Sequence, residues 1–139
     1  MIENGLFQYV TSNTNVQSAV GLDNNGVARA FWILAPQGSQ VPFLIFSRVG
    51  TVDPYTMAGT TGIREGKFQI ACYASTFLTS RAISKTVRQL LENFRGTLPD
   101  GTVVQATFID MDFDHQYSEG GKGFVFQAIL QFRIWFEES

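Results

Sequence analysis

The chain has 139 residues, of which 45% are hydrophobic and 16% charged, and this composition excludes an intrinsically disordered protein. We expect a single domain, residues 1–139, that is large enough to have its own core. The net charge of −2 argues against binding nucleic acid by bulk charge, and no apolar run approaches the about 20 residues of a membrane span. The single cysteine excludes an intrachain disulfide.

The first fifty residues predict short elements. Apolar residues at helical spacing in 2–10 predict a short helix, and Ser12–Asn13 are residues that commonly cap a helix. Val16–Val20 is expected to form one further helical turn. Two β-rich stretches, 29–35 and 42–49, then predict the first two strands.

Residues 51–62 follow the second strand and combine several turn formers with no hydrophobic period. Loops of about this length without secondary structure are uncommon inside a compact domain. We predict that this one is the extended tip of a β-hairpin, which joins strand 42–50 to strand 63–74.

The most regular stretch is a strand that runs directly into a long helix. Phe68, Ile70 and Cys72 alternate with polar or small residues, which predicts a strand. Apolar residues then recur at helical spacing and predict a helix over 76–95. The members of this stripe are Phe77, Ile83, Val87, Leu90, Leu91 and Phe94. Gly96 is expected to take the left-handed conformation that ends a helix.

Two strands are predicted after the helix. In strand 102–114 the apolar residues Val104, Ala106 and Phe108 share one parity, and Ile109, Met111 and Phe113 share the other. This slip of one residue predicts a β-bulge or a bend in the sheet. In the closing strand, 122–136, one face is almost wholly apolar: Phe124, Phe126, Ala128, Leu130, Phe132, Ile134 and Phe136. The opposite face mixes Ile129 and Trp135 with polar residues, so we expect another subunit to cover part of it.

These elements predict an α+β fold: an antiparallel β-sheet with one long helix packed on one face, a short N-terminal helix and an extended β-hairpin loop. The long helix is expected to lie on the sheet, because burying each large side chain of its stripe is worth about 1.5–3 kcal/mol before entropy is subtracted.

A carboxylate cluster is the first candidate for chemistry. Asp110, Asp112 and Asp114 alternate along strand 102–114 beside His115, the one histidine of the chain, and hard cations favour such carboxylates. The calcium-loop pattern fails, because its sixth position is His115 and its twelfth is Gly121. We therefore favour a solvated acidic face without metal or cofactor. A small metal- or ligand-binding domain centred on Asp110–His115 is the alternative.

No constellation of residues indicates an enzyme. Cys72 alternates with apolar neighbours and is interpreted as a core residue rather than a nucleophile. Gly120–Gly123 resembles a phosphate loop only superficially, because Gly123 rather than Ser or Thr follows Lys122 and a strand begins there. With one histidine and no nucleophile at recognisable spacing, acid–base catalysis has little support.

The order of segments resembles the tail terminator (tail completion, head–tail joining) proteins of long-tailed bacteriophages. The resemblance rests on the short N-terminal helix, on APQG at 35–38 followed by VPFLIFSRV at 41–49, and on the long loop 51–62. The junction QIACYASTFLTSRAISKTVRQLL at 69–91 and the closing strand KGFVFQAILQFRIWF at 122–136 complete it. Nearly the whole chain is covered.

This resemblance implies a structural virion protein without enzymatic activity or cofactor. Such proteins form a homo-oligomeric ring, typically a hexamer, on the head-proximal end of the tail tube, where the ring stops tube polymerisation and docks with the head connector or other neck proteins. The implied place is the tail neck of a virion or gene transfer agent assembled in the host cytoplasm. DNA would pass through the lumen without specific binding, and no membrane is involved.

A ring is built from contacts in which one surface meets a different surface of the next copy. The chain offers a basic helix face, which Glu92 interrupts, and an acidic strand. We predict that these charges, together with Trp135, lie at the subunit interface or line the lumen, where carboxylates would repel phosphate. The residues concerned are Arg81, Lys85, Arg88, Arg95, Asp110, Asp112 and Asp114. The alternative is that all these charges are solvated on a monomer.

Overall fold

A computed structural model of the chain describes residues 2–21, 29–33, 42–52, 55–56, 59–60, 63–118 and 124–137, with side chains for 2–21, 29–33, 42–50, 63–114 and 126–137. In chain order the elements are α1 Ile2–Thr11, α2 Thr14–Val20, β1 Ala30–Trp32, β2 Phe43–Val52, β3 Tyr55–Thr56, β4 Gly59–Thr60, β5 Arg64–Ala74, α3 Phe77–Leu91, β6 Gly96–Thr97, β7 Val103–Ser118 and β8 Phe124–Glu137. Within these residues, no helix combines the length and apolar character that crossing a membrane requires.

Six strands form one sheet in the order β1-β2-β5-β8-β7-β6. Four of the five pairings are antiparallel, but β1 runs parallel to β2, with Phe31 opposite Ile45. The sheet is therefore mixed, and the prediction of a purely antiparallel sheet is wrong at β1. A strand of three residues carries no pattern that reveals its direction, which depends on the connection that follows it.

The hairpin predicted around loop 51–62 is confirmed in the part that the structure describes. β2 pairs antiparallel with β5 as far as Val52 opposite Glu65. Beyond this point β3 and β4 form a pair of their own, with Tyr55 opposite Thr60. Residues 35–40 and the glycine-rich segment 120–123 lie outside the described residues.

The described residues contain three helices, rather than one long and one short helix. α1 confirms the predicted N-terminal helix, and the further turn predicted at Val16–Val20 is a complete second helix, α2. Asn13 caps α2, because its side-chain oxygen accepts hydrogen bonds from the backbone N–H groups of Asn15 and Val16 at 3.0 and 3.1 Å.

The long helix α3 is shorter than the predicted 76–95. The Thr76 hydroxyl caps its start by accepting from the Thr79 N–H at 3.2 Å, and the helix ends at Leu91. Asn93, not Gly96, is the residue that first turns left-handed, with φ 62°. Phe94 lies beyond the end of the helix, yet it still packs against the core, and its ring contacts Tyr9 with centroids 4.5 Å apart.

The core lies between the three helices and one face of the sheet, as predicted for α3. Ile83, Val87 and Leu91 of α3 are buried there, and α3 packs on β5 and β8. The apolar face predicted for β8 is confirmed from Ala128 to Phe136. We call the opposite side of the sheet the far face; it has a smaller apolar cluster of Phe43, Ile45, Ala71 and Ile129.

β7 is bulged twice against β8. One slip was predicted, between Phe108 and Ile109, but the pairing is regular there. The two bulges lie on either side of this point, between Val104 and Ala106 and between Ile109 and Met111. The first bulge turns Val104 into the core, whereas Phe108 pairs with Arg133 on the far face and stays 46% exposed. From their alternation in the sequence, Val104 and Phe108 were expected on the same face of the strand. The bulge between Val104 and Ala106 places them on opposite faces.

Burial of α3 against the sheet predicts the effect of a charge on its inner face. We expect Ile83→Asp to abolish soluble folding, because Ile83 is buried and an unpaired carboxylate there loses hydration without compensation. Leu78→Asp, at an exposed position of the same helix, is the matched control and should leave the melting temperature nearly unchanged. A soluble Ile83→Asp variant with wild-type melting temperature would contradict the packing.

Two strand glycines with different surroundings give a second test. A Cβ on Gly66 would lie 2.7 Å from Phe68 Cε2 and 3.1 Å from Phe136 Cε1, and both rings are held in the core. On Gly50 a Cβ would meet nothing within 4 Å. We expect Gly66→Ala to lower the free energy of unfolding by about 1–3 kcal/mol and Gly50→Ala to leave it equal or about 0.5 kcal/mol higher. Urea unfolding measures both, and equal midpoints would contradict the crowding at Gly66.

Candidate assembly surfaces

An ion-pair cluster joins the outer side of α3 to β7. Arg81 Nη1 lies 3.2 Å from Asp112 Oδ1, and Arg88 Nη1 lies 3.3 Å from Asp112 Oδ2. Arg81 also approaches Asp114 Oδ2 at 3.7 Å, and Arg88 Nε lies 3.5 Å from Glu92 Oε2. The two arginines are seven residues apart, two turns of helix, so both can reach one carboxylate. Asp112 is the most buried member, with 17% of its side chain exposed.

This cluster changes the interpretation of the predicted charges. The basic helix face and the acidic strand were predicted to lie at a subunit interface or to line the lumen. Within one chain, however, Arg81 and Arg88 already pair with Asp112, and Arg81 also with Asp114. Their place at an interface or lumen stays a prediction. Lys85 and Arg95, the other two predicted basic residues, are exposed and form no ion pair with any described residue.

The third aspartate lies apart from the other two. Because the bulge between Ile109 and Met111 falls on it, Asp110 turns to the far face. There it accepts a hydrogen bond from Gln131 Nε2 at 3.2 Å, and Arg133 Nε lies 3.6 Å away. Arg133 in turn reaches Glu65 Oε1 at 3.5 Å.

The prediction that Asp110, Asp112 and Asp114 share one strand face is therefore wrong. Asp110 and Asp112 lie on opposite sides of the sheet, so the three carboxylates do not converge on one cation. Among the described residues, no group of three or more His, Cys, Asp and Glu is placed to hold a metal ion. The side chain of His115 lies outside the described residues.

Cys72 is a core residue, as predicted. Its side chain is fully buried on β5, and this burial raises the pKa of the thiol well above its usual range, with the negative charge of Asp112 adding to the effect. The reactive thiolate is therefore not available at neutral pH.

Apolar side chains remain on the far face, where no helix of the described chain covers the sheet. Phe43 stacks on Tyr73 with ring centroids 4.9 Å apart, and Phe31 meets Phe43 edge-on. Nearer the other end of the strands, the predicted residue Trp135 is partly buried and helps to line a shallow apolar depression. Its lining residues are Ile63, Gln105, Ala106, Phe108 and Trp135. Met111, on the same face, is 54% exposed.

A second exposed apolar surface lies at the start of α3. Leu78 is 77% exposed and Phe77 is 46% exposed, and the Phe77 ring meets Phe126 edge-on at 6.4 Å between centroids. We call these two residues the α3 tip. Phe77 was predicted to extend the buried stripe, and the exposure of Leu78 was not predicted. A helical projection would have found it, because Leu78 lies nine residues before Val87 and so on the opposite side of the helix.

Comparison with known proteins identifies a family and finds solved structures with a similar fold. The family model for the tail completion protein gp17 matches residues 5–137. A chain from a solved structure described as "Virion of native gene transfer agent (GTA) particle" has a similar fold, with a TM-score of 0.74 at 15% identity. The match covers 96% of this chain and 92% of that one. At this identity it demonstrates a shared fold alone. None of the curated proteins compared with the chain matches it.

The ion-pair cluster predicts a measurable contribution to stability. We expect Asp112→Ala to lower the free energy of unfolding by about 1 kcal/mol, a value that allows for solvent screening at the two arginines, each at least 40% exposed. Asp110→Ala, which removes the carboxylate on the far face, serves as control, and Arg88→Ala completes a double-mutant cycle with Asp112→Ala. A coupling energy of zero between residues 88 and 112 would contradict the pairing.

Proposed function

The chain belongs to the tail completion protein gp17 family, and we propose that it forms a ring that caps the head-proximal end of a tail tube. It is thus a structural protein of the tail of a bacteriophage or gene transfer agent. In the proposed role the ring stops polymerisation of the tube and joins the tail to the head connector. The observation that carries the proposal is the extent of the family match, which runs from α1 to the end of β8.

The proposed ring is a homo-oligomer, with six copies as the expected number, and each copy acts as a single domain. Its partners are the tail tube protein below and connector or neck proteins above, and assembly takes place in the host cytoplasm before the ring occupies the neck of the particle. This role is mechanical, so it requires neither catalysis nor a cofactor.

DNA is expected to pass through the lumen without specific binding. The net charge of −2 supports this, because a protein that held DNA by its phosphates would need a surplus of basic residues. The ion pairs on α3 support it further. Arg81 and Arg88 pair with carboxylates of their own chain, so they are less available to bind phosphate. If this cluster faces a neighbouring subunit or the lumen, its positive charges would be largely neutralised by the paired carboxylates.

A metal- or ligand-binding domain centred on Asp110–His115 is not retained as a second function. That hypothesis depended on a common face for the aspartates, and Asp110 and Asp112 lie on opposite faces.

Electron microscopy of particles made with and without this chain tests the proposal. Without the chain we expect tails of irregular, excessive length that are not joined to heads, because nothing stops tube growth. Complementation with wild type or with Gly50→Ala should restore uniform tails, whereas Ile83→Asp should not. A labelled chain should appear as a layer between tail tube and connector. Its absence from that layer in particles of normal appearance would refute the proposed function.

A further inference from the structure

The chain has two exposed apolar surfaces, one at the start of α3 and one on the far face of the sheet. The α3 tip presents the side chains of Phe77 and Leu78 at the helix start. The far-face depression presents an aliphatic side chain, an alanine and two aromatic rings around Gln105. Packing these side chains against another protein surface would be favourable, because it removes apolar area from water.

These surfaces cannot meet within one subunit. The Phe77 ring packs near Phe126, at one end of β8, whereas Trp135 stands nine residues further along the same strand. At about 3.4 Å per residue this separation is about 30 Å. The two surfaces also lie on opposite sides of the sheet, since Phe126 belongs to the helix side and Trp135 to the far face.

Unpaired charges accompany the two surfaces and have opposite sign. Lys85 follows Leu78 by seven residues and therefore lies two turns further along the same side of α3. Glu137 follows Trp135 by two residues and therefore lies on the same face of β8. Both are exposed, and neither forms an ion pair with a described residue. The tip thus has a basic neighbour and the depression an acidic one.

We propose that the α3 tip of one subunit packs into the far-face depression of a second copy of this chain, with Lys85 near Glu137 of that copy. This contact rests on the proposed ring and gives it a specific interface. It is heterologous, joining one surface to a different surface of the next copy, which is the type of contact that closes a ring. Leu78 and Trp135 form its apolar centre, and the charged pair at the rim fixes the orientation.

A second copy is the occupant that the observations favour. One chain carries both halves of the contact, so every copy in an assembly can fill one depression and offer one tip. In this contact Lys85 of one copy meets Glu137 of the next, so opposite charges face each other. A face-to-face dimer would instead place two depressions, or two tips, against each other and leave these charges opposite their own kind.

Cysteine cross-linking tests the contact directly. Cys72 is fully buried, so the wild-type chain gives no background. We expect a Leu78→Cys/Phe108→Cys double variant to form a ladder of covalent multimers with a short bis-maleimide, both in concentrated purified protein and in isolated particles. A mixture of the two single variants should give only mixed dimers. Val49→Cys replaces Leu78→Cys in the control, because Val49 is exposed on β2, which β5 and β8 separate from β7.

Exchanging the charges of Lys85 and Glu137 provides a second test, which uses the same two cysteines. Introduced into the double-cysteine chain, Lys85→Glu should reduce the yield of multimers about fivefold, and adding Glu137→Lys to the same chain should restore it. Circular dichroism should show wild-type folding for each variant, since all the altered side chains are partly or fully exposed.

The outcomes separate this contact from the proposed function. Cross-links between two Leu78→Cys chains would indicate a two-fold interface and overturn the proposal, as would particles that contain the chain at the neck but yield no ladder. In the second case the proposed function would stand. Conversely, a ladder in purified protein, with the chain absent from the neck of particles, would support the contact and refute the function.

Discussion

The structure depends on the burial of the apolar stripe of α3 against β5 and β8. Ile83, Val87 and Leu91 are nearly inaccessible to solvent, and this fixes the rotation of the helix about its own axis. Once the rotation is fixed, the basic side of α3 can face only outward and toward β7, where Asp112 stands between Arg81 and Arg88. The same rotation leaves Leu78 in solvent. The electrostatic arrangement and the exposed tip are thus both consequences of hydrophobic packing.

The pairing of charges within the chain has a consequence for assembly. Electrostatic attraction between subunits of like composition requires unpaired charges of both signs, and much of the basic face of α3 is already engaged with β7. In the proposed contact, apolar burial therefore has the larger part, and Lys85 and Glu137, which form no ion pair with described residues, select the orientation. Rim charges of this kind affect the rate and geometry of association more than its strength.

Most of the fold could be predicted from the sequence, because an element that is buried on one side repeats its apolar residues with a characteristic period. The two-residue period of a strand is clear in β8, and the 3.6-residue period of a helix is clear in α3. The candidate surfaces could not be predicted to the same extent. Asp110 changes sides because of a bulge, and a bulge of one residue reverses every side chain beyond it. The pairing of Arg81 with Asp112 joins residues thirty-one positions apart and depends on which strand lies beneath the helix, which periodicity does not encode. The direction of β1 was missed for a similar reason.

The position of β8 in the sheet bears on when the protein folds during synthesis. β8 lies between β5 and β7, yet it follows every other strand of the sheet in the chain. Until it leaves the ribosome, β5 and β7 have no common neighbour, and α3 lacks one of the two strands on which it packs. We therefore expect nascent chains to remain without a stable core until synthesis has passed Glu137. Such late closure delays the formation of the far face, to which β8 contributes a central strand, until β8 has been added.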